Sequence, residues 1–355
     1  MTYPLAGRRR AAAGPARPRA VVLALAAPLL VCALILLSLL TGSRALSPAE
    51  VWEAIPGGWR YAVSGAKATD VEMVLGIQRI PRTALALLAG LALGAAGALM
   101  QGFTRNPLAD PGFLGAGAGA AAAVAVGLSL GWLTPESAYV WPSMLGAVLV
   151  TALLFLLSSS GPTAGSPLAF VLAGTALSAL LMAVVNALVI TNERVLDALR
   201  TWATGSVAGR DFSVIAVVAP VAAVALLAAL LLGPSVNLLS LGEESAHALG
   251  VSVRRAQGIG VVVISALVAA AVAAAGPVSF IGLAAPHMVR AFTGPDYRLI
   301  IPLSALVGGV LALGADVLGR VLAAPGELPM GIVLALLGVP VFVWLVRRGR
   351  VGGAL

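Results

Sequence analysis

RIPRTALALLAGLALGAAGALMQGFTRNPLADPGFLGAGAGA, residues 79–120, is the stretch on which the reading of the chain turns. Two arginines around a proline open it. About twenty apolar and small residues follow, enough to cross the hydrocarbon of a bilayer. A compact polar segment then interrupts the run: Arg105, Asn106, Pro107, Leu108, Ala109, Asp110, Pro111 and Gly112. Two prolines stop a helix here, because proline has no N–H and clashes with the preceding turn. A second run, rich in glycine and alanine, starts at once. In lipid such a break is tolerated only where protein buries it or water reaches it. The pattern predicts a pathway or a gate between two spans.

Composition places the rest of the chain in the same setting. Of 355 residues, 60% are hydrophobic and 10% are charged, with a mean hydropathy of +1.03. Soluble domains carry roughly 25% charged residues, so the chain reads as an integral membrane protein with no room for a separate soluble domain. The net charge of +8 does not indicate nucleic acid. Arginines cluster at the two ends beside apolar spans, as topology signals do. Lys67 is the one lysine, so no phosphate-binding G-x-x-x-x-G-K-[ST] loop exists, and any ATP is bound by another chain. Cys32 lies in an apolar run and reads as a packing residue.

Residues 1–19 carry Arg8, Arg9, Arg10, Arg17 and Arg19, which puts this end in the cytoplasm. Spans are expected over 20–40, 83–102, 112–130, 140–157, 167–190, 214–232, 258–275, 299–322 and 332–346, with the interrupted run from Gly276 to Arg290 as a further one. The fold class is all-α and polytopic, with about ten transmembrane helices. Both termini fall in the cytoplasm. Residues 83–190 and 258–346 each hold four spans with a proline-interrupted break after the first, which predicts an inverted repeat of four-helix units. The domain reading is a basic tail (1–19), one transmembrane domain (20–348, with a cytoplasmic loop at 237–255) and a short tail (349–355).

Between the first two spans, Ser47-Pro48-Ala49-Glu50 has the form of a helix start. Val51, Trp52 and Ile55 are expected to give that short helix its apolar face. Arg79 and Arg82 then fall on the outer side, against the positive-inside bias. Two readings stand: snorkelling to lipid phosphate, or docking to an acidic partner. Trp202 reads as an interfacial aromatic. The stripes Gly90/Gly94/Gly97, Gly115/Gly117/Gly119 and Gly308/Gly309/Gly314 read as close-packing devices.

Several strings resemble the permease subunits of the ABC importers for iron-siderophores, haem and cobalamin, the FecCD-type or type II importers. They are Arg79-x-Pro81-Arg82, Gln101, Asn106-Pro107-Leu108-Ala109, Pro111 and the glycine-rich run from Gly115 to Ala120. Trp202-x-x-Gly205-Ser206, Leu241-Gly242-Glu243-Glu244 through Leu249-Gly250-Val251, and Gly276 through Phe280-Ile281-Gly282-Leu283 to Pro286-His287-x-x-Arg290 extend the match. The resemblance runs from about residue 25 to residue 348. It implies a permease of the bacterial inner (plasma) membrane that is itself no enzyme and carries no cofactor, with a ferric siderophore as the foremost substrate class. It implies a second permease chain, in a homodimer or heterodimer, two ATP-binding cassette ATPase subunits and an extracytoplasmic substrate-binding protein, all within membrane lipid.

By the same resemblance Arg79, Arg82 and Arg320 are docking residues for the binding protein, with Asp316 orienting Arg320, and Trp202 belongs to a short extra helix at the outer mouth. Asn106, Pro107 and Leu108 narrow the inner end of the path, beside the loop 158–167. Leu241, Gly242, Glu243, Glu244, Ala246, His247, Leu249, Gly250 and Val251 couple to the ATPase through two short helices. No catalytic or metal-binding set is expected; His247 has no second ligand near it. His287 and Arg290, three apart on one helical face, read as a structural pair satisfied by carbonyls, or as lining the inner end of the path or contacting the ATPase. An ion-gradient-driven secondary transporter is the alternative, and it requires acids buried at mid-membrane. An intramembrane enzyme has no matching constellation.

Overall fold

The computed structural model describes residues 16–42, 46–113, 115–133, 139–158 and 167–347. Residues 1–15 and 348–355, including Arg8, Arg9, Arg10 and Arg350, and most of the loop 158–167 lie outside these residues. The described residues form helices and turns. Helix α1 spans Ala16–Leu40, α2 Pro48–Ser64, α3 Asp70–Met73 and α4 Ile80–Thr104. Then come α5 (Ala116–Ser129), α6 (Val140–Ser158), α7 (Pro167–Thr191), α8 (Glu193–Trp202) and α9 (Phe212–Ser240). The chain closes with α10 (Glu243–Ala248), α11 (Val253–Ala275), α12 (Ile281–Thr293), α13 (Tyr297–Leu322) and α14 (Met330–Arg347). Among the described residues seven helices are long and apolar enough to cross a membrane, and 116–129 and 330–340 form shorter apolar ones.

The core is built around α4, which is buried over most of its length and packs on α13, α11, α9 and α12. Small residues make this packing close. A Cβ on Gly90 would stand 2.3 Å from the Gly308 carbonyl oxygen, and one on Gly97 would stand 2.0 Å from that of Gly282. The backbones of α4, α12 and α13 therefore touch, and van der Waals contact holds them together where lipid offers no hydrophobic drive. Gly314 does not belong to such a stripe, since a Cβ there would meet nothing within 4 Å.

Several expectations are corrected. The second span does not begin near Thr83. Helical chain runs from Asp70 to Thr104, 35 residues, through a π-helical turn at Val74–Arg79. Pro81 lies in the first turn of α4, where its missing N–H breaks no regular ladder. The helix announced by Ser47 is real and has a full capping box, Glu50 N–H to Ser47 Oγ at 3.3 Å and Ser47 N–H to Glu50 Oε2 at 2.7 Å. It runs 17 residues and buries Val51, Ala54, Gly57 and Gly58, while Trp52 is 76% exposed. Neighbouring positions on a helix point about 100° apart, and the buried side runs from Val51 through Ala54 to Gly57, the opposite way round the helix from Trp52. Between α9 and α11 the structure has one short helix, α10, rather than two.

Candidate functional site

Three groups of residues stand out, two at opposite ends of α4 and one on α10. Arg82 lies in the first turn of α4 and Arg105 caps its last. Twenty-three residues of helix separate them, about 35 Å.

At the first end, α1 terminates with carbonyls that have no intrahelical donors. The Leu37 carbonyl accepts from Thr41 N–H at 2.9 Å and Thr41 Oγ1 at 2.8 Å. Arg320 Nη1 donates to Ser38 O at 2.9 Å and to Thr41 O at 2.8 Å. Arg79 Nη1 donates to Leu39 O at 2.6 Å and to Leu40 O at 3.0 Å. Two arginines, positive charges at a helix C-terminus, thus complete the end of α1. Ser38 Oγ accepts from Arg320 Nη2 at 2.7 Å and lies 2.7 Å from Thr83 Oγ1.

Asp316 joins the cluster from α13. Its carboxylate meets Arg82 Nη2 and Arg320 Nη2, each at 2.9 Å, and the Arg320 contact is the pair four apart expected from the sequence. Arg82 Nη1 also donates to Glu327 Oε2 at 2.6 Å. Arg79, Arg82, Arg320 and Asp316 are 4%, 9%, 7% and 1% exposed. The structure therefore brings the three sequence-selected arginines together and engages each inside the chain. Glu327, which sequence reasoning treated only as part of a turn, is the rim of this cluster, with its side chain 42% exposed.

At the other end, α4 stops at Arg105, which takes a left-handed conformation with φ of 50°. Asn106 Oδ1 accepts from Leu108 N–H at 2.9 Å, closing the polar turn. Asp110 is 3% exposed. One carboxylate oxygen accepts from Gly112 N–H at 2.9 Å and the other from Phe280 N–H at 3.1 Å. Burial pushes this carboxyl up, against the lowering effect of those two donors. The break at 105–112 and the break before α12 are thereby clasped by one side chain. Phe280 has a positive φ of 82°, rare for a bulky residue.

Pro107 and Leu108 line an apolar cavity of about 350 Å³ with residues of α12, α13 and α14, His287 among them. His287 and Arg290 do not act as a carbonyl-satisfied pair. Arg290 turns to Gln101 Oε1, at 2.6 Å, and to Tyr297 Oη, at 3.0 Å. Trp202 is 5% exposed, so the interfacial reading fails: it is packed at the end of α8, beside a polar pocket of about 110 Å³ with Asp197 and Tyr139.

On α10, Ala246 is fully buried and packs with Leu239 and Ala256. It roots the helix rather than facing outward. Leu241 and Leu249 flank α10 and are 65% and 59% exposed. Gly242 and Gly250 bound it with φ of 115° and 84°. Glu244 and His247 are exposed, Val251 is half-buried and its carbonyl meets His247 Nδ1 at 3.3 Å; the Glu243 side chain lies outside what is described. Among the described residues no group of three histidine, cysteine or acidic side chains is placed to hold a metal.

Residues 29–348 match the model of the FecCD transport family. The chain is 41% identical over 338 residues to the ferric enterobactin transport system permease protein FepD of Escherichia coli (strain K12), covering 94% of this chain and 98% of that protein. It is 39% identical over 277 residues to the hemin transport system permease protein HmuU of Yersinia pestis, covering 77% and 82%. A solved structure of a metal-chelate type ABC transporter in an inward-facing conformation superposes with a TM-score of 0.76 and 28% identity, over 92% of this chain and 99% of that one.

Proposed function

The chain belongs to the FecCD transport family, and from that premise we propose that it is the membrane-spanning subunit of an ATP-driven importer of a metal chelate, foremost a ferric siderophore. Two permease chains form the path, two ATPase subunits drive it, and an extracytoplasmic binding protein delivers the chelate. The observation that carries the ATPase coupling is α10. A short helix held by one buried alanine has Leu241 and Leu249 exposed at its two ends, each followed by a glycine turn. Such a face fits a partner groove. ATP-driven closure of the ATPases displaces it and shifts the balance between outward-open and inward-open states.

The break at Asn106–Leu108 narrows the inner end, where Pro107 and Leu108 already form one wall of the apolar cavity. Docking of the binding protein works at the rim of the arginine cluster. Arg79 and Arg320 are committed to the end of α1. Arg82 is the arginine whose carboxylate partner, Glu327, is open to exchange with a carboxylate from outside. The cavity that Pro107 and Leu108 line is apolar, which suits a weakly binding path that leaves selectivity to the binding protein.

The test is co-purification of the detergent-solubilised permease with its ATPase, followed by ATP hydrolysis and uptake of radio-iron as ferric enterobactin in vesicles. Leu241→Ser with Leu249→Ser is expected to abolish association while the permease stays folded. Stable permease with no ATPase partner, and uptake driven by an ion gradient alone, would overturn the proposal.

A further inference from the structure

Gln101 is 1% exposed, near the end of α4. Its Nε2 donates to Ala109 O at 3.2 Å, Gly282 O at 3.2 Å and Leu283 O at 3.4 Å. The first of these carbonyls belongs to the 105–112 break and the other two to the first turn of α12. Its Oε1 accepts from Arg290 Nη1 at 2.6 Å. A carboxamide can turn over with almost no change of shape. Here it cannot: arginine only donates and the three carbonyls only accept. Arg290 therefore fixes which way Gln101 faces, and Gln101 holds the far side of the 105–112 break.

The same line continues toward α10. Arg290 Nη2 donates to Tyr297 Oη at 3.0 Å, and its guanidinium carbon lies 5.6 Å from the Tyr297 ring centroid. Tyr297 N–H donates to Asn237 Oδ1 at 2.7 Å, and Asn237 Nδ2 donates to Asp296 Oδ1 at 2.6 Å. Asn237 lies in the last turn of α9. Two residues on, Leu239 O accepts from Gly242 N–H at 3.1 Å, at the root of α10, and from Arg105 Nε at 3.1 Å, on the near side of the break. The segment 106–108 is thus anchored at Arg105 and at Ala109, and both anchors lead to the end of α9.

We propose that Arg290 and Gln101 are positioning residues that transmit displacement of α10 to the Asn106–Leu108 segment. A buried donor or acceptor left unmade is unfavourable, so the members of the line shift together rather than part. The sequence selected Arg290 only as half of a pair with His287. The relay rests on the importer reading above, since α10 moves only if an ATPase moves it.

The experiment uses the permease–ATPase complex in lipid nanodiscs. Cys32→Ser removes the single native thiol, Leu108→Cys supplies a reporter, and the rate of maleimide labelling is measured with and without ATP and vanadate. The expected parent response is a several-fold change in rate. Tyr297→Phe, nearly isosteric, and Arg290→Met are expected to keep ATPase association while the nucleotide-dependent ratio falls toward one. Arg290→Lys, which keeps a donor to Gln101, is expected to retain part of it. Thr293→Val, a buried α12 substitution outside the line, lowers the thermal midpoint without changing the ratio. If the parent responds and Tyr297→Phe and Arg290→Met respond equally, the relay is overturned and the importer reading stands. If nucleotide leaves the parent unchanged despite a bound ATPase, the gate placement fails, and the relay with it.

Discussion

Asp316→Asn isolates the charge balance of the arginine cluster. The Asp316 carboxylate serves two buried arginines at 2.9 Å each. Asparagine keeps the shape but has one acceptor oxygen and no charge. One arginine can keep that oxygen; the other then faces an NH2 group, donor against donor. Removing one partner of a buried ion pair costs about 3–5 kcal/mol, because the remaining charge stays buried. At about 2 °C per kcal/mol for a large chain, the melting midpoint should fall by roughly 6–10 °C. Glu327→Gln is the matched control. It removes the same charge from the same arginine, Arg82, but its side chain is 42% exposed, and exposed pairs contribute about 0–1 kcal/mol. Its midpoint should move by no more than about 2 °C. The assay is retention of the monodisperse peak on size exclusion after heating at a fixed rate, because unfolding of such proteins is read as an operational midpoint. An Asp316→Asn midpoint within about 2 °C of the parent, or a Glu327→Gln loss as large, would refute the assignment of Asp316 as the buried counter-charge.

Gly90→Ala would place a carbon 2.3 Å from Gly308 O, where even a Cα–H···O contact needs about 3.3 Å. The helices must part by about 1 Å, and overpacking of about 1–3 kcal/mol outweighs the gain of up to about 1 kcal/mol in helix propensity; the midpoint should fall, while Gly314→Ala, in open space, should hold or raise it. Asp110 gives a pH signature. Its folded carboxyl titrates above its unfolded value, so the native state holds the proton more tightly, and that contribution is present at acid pH and lost as pH rises through the folded value. The stability of the parent relative to Asp110→Asn should therefore increase as pH falls from 7 toward about 4; a difference independent of pH in matched melts would contradict the buried placement.

Prolines show how far local reading reaches. Pro28, Pro220, Pro234, Pro302 and Pro340 all lie inside helices, whereas Pro107 and Pro111 mark a real break. The polar neighbours Arg105, Asn106 and Asp110 make the difference, since they supply turn and clasp hydrogen bonds that an apolar neighbourhood cannot. Ala246 was legible only as an apolar residue in the amphipathic loop; its inward orientation depends on Leu239 and Ala256 beside it.

The sequence by itself determined the membrane class, most of the spans, the break at 105–112 and the capped helix after Ser47. Each of these is a local property: hydropathy over one helix length, a proline-bounded polar cluster, a Ser-x-x-Glu spacing. Only the tertiary structure decided which faces of the helices are core and which side chains meet. Asp316 and Glu327 reach Arg82 across 234 and 245 residues, and Arg290 reaches Gln101 across 189. In a lipid-spanning chain the core is no more apolar than the surroundings, so hydropathy cannot tell a buried face from an exposed one. Close glycine contacts and distant polar pairs settle that orientation, and they exist only once the helices are packed.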